Sequence, residues 1–261
     1  MTLSIAVAGK GGSGKTSTSS LIVRYLMRSG RVPVLAVDAD GNANLGESLG
    51  LELEDTIGSV IAEFNEDKIS IPSGLTKGAY LELKLNETIV ESKGLDLISM
   101  GRGEGTGCYC YPNTVLKKFI DELKGNYAAM VMDNEAGMEH LSRRTTEDID
   151  ELLIVSDHSV KGARTVGRIL ALLDDLKLDV RRHSVIINRV PGGGMDDRIR
   201  QELEQFGVQP LATVPMDEQI AQYDLERKPL LELPDDSVSV KAVTEMMDII
   251  IERNKKVTQR G

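Results

Sequence analysis

Chemistry is most visible in Gly9-Lys10-Gly11-Gly12-Ser13-Gly14-Lys15-Thr16. This octapeptide satisfies G-x-x-x-x-G-K-[ST], a loop whose backbone N–H groups wrap phosphates, whose last lysine reaches the β and γ oxygens and whose hydroxyl holds Mg²⁺. The glycines Gly9, Gly11 and Gly14 also satisfy the dinucleotide spacing G-x-G-x-x-G, with Asp38 following where a ribose-binding acid could lie. The Gly-Lys-Thr ending decides for a triphosphate. A dinucleotide loop needs no cation followed by a hydroxyl at the helix start. ATP and Mg²⁺ are the expected ligands, with Thr16 on the metal and Gly11, Gly12, Ser13, Gly14, Lys15, Thr16 and Ser17 around the nucleotide.

A second chemical feature is Cys108-Tyr109-Cys110, the only two cysteines, in a glycine-rich run that ends just before a helix expected over 113–124. Cysteines spaced C-x-C are poorly placed to bond each other, and two thiolates fall short of the four ligands a Zn²⁺ ion takes. Two copies of the chain meeting on a two-fold axis would supply four sulfurs.

These groups need a scaffold, and the chain supplies one by alternation. Apolar runs at 3–8, 32–37, 95–99, 128–132, 151–155, 184–188 and 211–214 read as strands, several apolar at consecutive positions, as in parallel strands covered on both faces. Helical patterns lie between them at 15–29, 113–124, 139–147, 161–177, 196–207, 217–226 and 237–255. The order predicts an α/β fold of the doubly wound kind, a mostly parallel sheet flanked by helices on both faces. One domain over 1–261 is expected, with 51–94 an insertion between core strands. That insertion carries a helix-like stretch near 56–65 and an alternating Leu-Glu-Leu-Lys-Leu at 81–85, the signature of a hairpin strand.

Composition narrows the partners. Lys and Arg total 31 against 41 Asp and Glu, a net charge of −10, which argues against nucleic acid and against stable association with an anionic membrane. Nine aromatics without tryptophan argue against base-stacking platforms, and the few cysteines, with no secretory signal, point to a reducing cytoplasm. His140, His158 and His183 are expected to be solvated surface groups.

The second lysine in KGGSGKT resembles the deviant phosphate loop of the ATPase family that includes septum-site and plasmid-partition proteins, nitrogenase iron protein and metal-cluster maturation factors. That resemblance implies that Lys10 crosses a homodimer interface to the partner's nucleotide. It implies that Asp40, in Asp38-Ala39-Asp40-Gly41-Asn42, orients the attacking water, with Asp38 near Mg²⁺ or bonded to the phosphate loop. Lys10, Lys15 and Asp40 are thus the catalytic candidates. Asp133, ending the strand Ala128–Met132 and leading into Asn134-Glu135-Ala136-Gly137, resembles the second-switch stretch: the carboxylate reaches Mg²⁺ through water, and Gly137 offers its N–H to the γ-phosphate. Asn188 matches the residue that reads the adenine edge, and Pro215 falls where backbone contacts to the base are expected.

The Gly-x-Cys-Tyr-Cys run and Ala136-Gly137 followed by Glu139-His140-Leu141 narrow the resemblance to the nickel-insertion ATPases that mature carbon monoxide dehydrogenase and acetyl-CoA synthase. This implies Cys108 and Cys110 holding Ni²⁺, or Zn²⁺, across a nucleotide-bound dimer that serves a client nickel enzyme. Gly41 stands where that group has proline, which leaves its carboxylates untouched and its client open. A positioning ATPase is the alternative. A carrier or reductase built on a shared iron–sulfur cluster is another, although that design draws a thiolate from beyond the second switch and no cysteine follows Gly137.

Overall fold

The computed structural model describes residues 2–65, 71–101, 118–135, 149–176 and 180–258. Its centre is β1 (Leu3–Gly9), buried at all seven positions. β1 lies between β5 (Ala129–Asn134) and β6 (Glu151–Asp157) in an eight-stranded sheet ordered β3-β4-β2-β5-β1-β6-β7-β8. The others are β2 (Val34–Ala39), β3 (Val90–Ser92), β4 (Leu95–Ser99), β7 (His183–Val190) and β8 (Pro210–Pro215). Every pairing is parallel except β3 with β4. The expected α/β architecture is therefore the one observed.

Consecutive apolar residues in these strands serve two cores. Ile5 and Val7 of β1 face one layer with Leu21, Ile22, Val23 and Leu26 of α1 (Lys15–Arg28) and Met246, Met247 and Ile250 of α8 (Val238–Thr258). Ala6 and Ala8 face the other, with Ile57, Val60 and Ile61 of α3 (Ile57–Asn65), Leu81 and Leu85 of α4 (Lys77–Glu87), and Val166 and Ile169 of α5 (Val160–Leu176). Full burial of each Leu or Ile side chain contributes about 1.5–3 kcal/mol. Further helices are α2 (Asn44–Leu49), α6 (Asp197–Glu204) and α7 (Glu218–Leu225).

Three expectations need correction or limits. The alternating segment 81–85 is helix, not strand. Leu81 and Leu85 are wholly buried while Leu83 is half exposed, and positions i and i+4 share a face under either periodicity. Thr76, whose side chain accepts from the Ala79 N–H, starts the helix. A hairpin exists just beyond it, between β3 and β4. The second core strand begins at Val34 rather than 32. Of the helix expected over 113–124, the stretch 118–124 is described and helical; the one at 139–147 lies outside the described residues.

Candidate functional site

The site lies where β1 hands over to α1 at the carboxyl ends of the central strands. Glycine is required twice in this turn. A Cβ on Gly9 would come 2.1 Å from the Val155 carbonyl oxygen of β6, and one on Gly14 would come 2.2 Å from the Asn188 amide nitrogen. Gly14 also has φ +89° and caps α1. From there the helix amides of Lys15 and Thr16 open toward the loop, an anion-binding arrangement. The Lys15 side chain is buried, its ammonium 3.5 Å from the Lys10 carbonyl.

Two carboxylates approach the loop from neighbouring strands. Asp38 and Asp133 are register partners on β2 and β5, both almost wholly buried. Asp133 accepts from the Thr16 hydroxyl at 2.6 Å and from Ser19 at 3.2 Å. Burial pushes the Asp133 carboxyl up to about 7, against the hydrogen bond from Thr16, and the neighbouring Asp38 charge adds to the rise. Burial likewise raises Asp38 to about 6, although its carboxylate accepts the Leu45 N–H at 2.8 Å and the Asp40 N–H at 3.1 Å. Asp38 thereby ties β2 to the start of α2. A hydroxyl and carboxylate oxygens in this small space are hard donors suited to Mg²⁺.

Asp40 is turned into its own loop, where it accepts from the Asn42 N–H at 2.9 Å and the Asn42 side chain at 3.0 Å. Lys10, about one-third exposed, pairs with Asp157 at 3.4 Å. Asp157 in turn accepts from Ser159 at 2.7 Å. His158, expected to be solvated, is half-buried, and its Nε2 accepts the Asp196 N–H that begins α6 at 3.1 Å.

Beside the loop is a cavity of about 590 Å³ lined by Thr16, Ser17, Asn188, Arg189, Pro215 and Asp217 among others. Asn188 and Pro215 thus line one opening. The Asn188 amide already donates to the Ser13 carbonyl at 2.9 Å. Ser19, Asp157 and Arg189 were missed by sequence reading, for none belongs to a motif. A hydroxyl one helical turn after Thr16 was the only available signal, and it pointed to Ser19. Cys108, Cys110 and Gly137 lie outside the described residues. Among the described residues no helix is long and apolar enough to cross a membrane.

Residues 4–230 match the family model described as the CobQ/CobB/MinD/ParA nucleotide binding domain. An uncharacterized ATP-binding protein of Methanocaldococcus jannaschii is 40% identical over 254 residues, spanning 97% of this chain and 99% of that protein. The carbon monoxide dehydrogenase accessory protein CooC of Rhodospirillum rubrum is 28% identical over 233 residues, 85% of this chain and 87% of its own. Among solved structures, the cell division ATPase MinD of Pyrococcus furiosus matches with a TM-score of 0.69 at 22% identity, covering 97% of this chain and 99% of that one. At that identity the likeness speaks to fold alone.

Proposed function

The chain belongs to the CobQ/CobB/MinD/ParA nucleotide-binding family, and from that premise we propose that it is an ATPase whose nucleotide-driven homodimer carries Ni²⁺ for insertion into a client such as carbon monoxide dehydrogenase or acetyl-CoA synthase. The observation that carries this reading is the presence, in one chain, of a phosphate loop with a second lysine and a lone C-x-C pair. The similarity to a carbon monoxide dehydrogenase accessory protein supports it.

In this reading the loop amides and the Lys15 ammonium bind the ATP phosphates. Thr16 would hold Mg²⁺ directly and Asp133 through water, and the ion would supply positive charge against the phosphates. Asp40 orients the attacking water after leaving its contacts with Asn42. Lys10 exchanges Asp157 for the partner's phosphates and there supplies positive charge to the transition state. Closure would bring two copies of Cys108 and Cys110 together, and their four thiolates would hold Ni²⁺, or Zn²⁺, as cargo. Hydrolysis loosens the dimer and releases the metal to the client.

The test is metal stoichiometry with ATP, with ADP and without nucleotide. The wild-type chain should bind one Ni²⁺ per ATP-bound dimer. Replacing both Cys108 and Cys110 with Ala should abolish that while sparing ATP binding; undiminished Ni²⁺ binding overturns the reading. A positioning ATPase is the second reading, favoured by the family's MinD and ParA membership. It requires ATP-dependent adsorption to liposomes or DNA, and a sedimentation assay that finds neither removes it.

A further inference from the structure

Two adjacent residues of β7 grip two adjacent carbonyls of the phosphate loop. Asn188 Nδ2 donates to the Ser13 carbonyl at 2.9 Å, and Arg189 Nη1 donates to the Gly12 carbonyl at 3.0 Å. In a regular strand, consecutive side chains leave opposite faces of the sheet, so residues 188 and 189 would not both reach one loop. The sheet is irregular at this point. Between the pairs Ile187–Thr213 and Val190–Pro215, β7 has two residues where β8 has only Val214. That is a β-bulge, a device that re-aims side chains. Arg189 has φ +57°, a conformation rare for residues with a Cβ. The Arg189 N–H donates to Asn188 Oδ1 at 2.9 Å, which orients the amide so that its NH₂ faces the loop.

We propose that Arg189 is a positioning residue for the phosphate cradle. A trans peptide unit points its C=O and the following N–H in opposite directions. Anchoring the Gly12 and Ser13 carbonyls on the β7 side therefore turns the Ser13 and Gly14 N–H groups toward the loop interior. The Ser13 N–H does donate inward, to the Lys10 carbonyl at 3.1 Å, the same oxygen that the Lys15 ammonium approaches. The loop backbone is ordered by the chain's own hydrogen bonds, so binding spends less free energy on ordering it. The backbone strain at Arg189 persists because the bulge and two loop contacts over-determine it. The proposal rests on reading this loop as the ATP site.

Two variants separate side chain from backbone: Arg189→Ala keeps the strained φ, and Arg189→Gly relieves it. Amide hydrogen exchange over residues 11–15 of the nucleotide-free protein is measured beside Kd for ATP, ADP and inorganic tripolyphosphate. Both variants should exchange faster in the loop and bind all three ligands about tenfold more weakly, by a common factor, as expected for a lost hydrogen bond from a charged donor. Thermal unfolding of Arg189→Gly should be no earlier than wild type. Unchanged loop exchange overturns the proposal, since weaker binding would then mean a direct contact to phosphate. Loss of ATP affinity with tripolyphosphate binding retained also overturns it, making Arg189 a base contact. If the wild-type chain binds no ATP, the nucleotide reading fails, while the exchange comparison still decides whether Arg189 shapes the loop.

Discussion

Asp133, a buried carboxylate, costs the fold stability at neutral pH, and in the proposed function it serves Mg²⁺ binding. Its carboxyl titrates near 7 in the fold against 3.8 as the ordinary value. Between those values the folded chain holds more protons than the unfolded chain, so the stability gained below about pH 4 is lost as pH rises through 7. Asp38, raised to about 6, acts in the same direction over a lower window. Asp133→Asn should therefore flatten the fall in stability between about pH 4 and 7, followed by urea unfolding, with a gain on the order of a few kcal/mol at pH 8. The same variant should lose Mg²⁺-dependent nucleotide binding. A pH profile as steep as wild type would count against Asp133 as the titrating group. The motif residues Lys15, Thr16 and Asp133 were legible in the sequence because each belongs to a fixed spacing or ends an apolar strand. Ser19, Asp157 and Arg189 were not, because their role comes from what lies across the sheet.

At the scale of elements, the handover from β1 to α1 depends on the strands beside it. Gly14 must be glycine for two reasons, its φ of +89° and the approach of Asn188 from β7. Gly14→Ala should push Asn188 off the Ser13 carbonyl, weaken ATP binding by at least about tenfold and lower Tm, checked by calorimetry and nucleotide titration. Parallel strands were readable from consecutive apolar runs, and α1 from its start at Lys15. The segment 81–85 was misread because a leucine at i and i+4 is common to strand and helix; burial of Leu81 and Leu85 under the sheet resolved it. Helix α2 has only six residues, too short for periodicity, and is organised by Asp38 near the end of the strand before it.

At the scale of the whole molecule, the Lys10–Asp157 pair is part-buried and long, with nitrogen and oxygen 3.4 Å apart, and contributes on the order of 1 kcal/mol. It is weak enough to be exchanged for a partner's phosphates. Lys10→Ala should leave ATP affinity within a few-fold of wild type yet hold the ATP-bound chain at monomer mass and abolish hydrolysis, read by sedimentation and phosphate release. An ATP-dependent dimer in that variant would remove Lys10 from the interface. The net charge of −10 says little about phosphate binding, because carboxylates beyond a Debye length are screened, while Lys15 and the loop amides act at contact distance. Taken alone, the sequence determined most of the parallel strands and the helices between them, the phosphate loop and the two carboxylates, since these depend on local periodicity and short spacing. Only the tertiary structure decided that Asp38 and Asp133 stand side by side, that Lys10 rests on Asp157 and that β7 bulges to grip the loop. Each joins residues far apart in the chain, and no short-range pattern encodes which strand lies beside which or where the register slips.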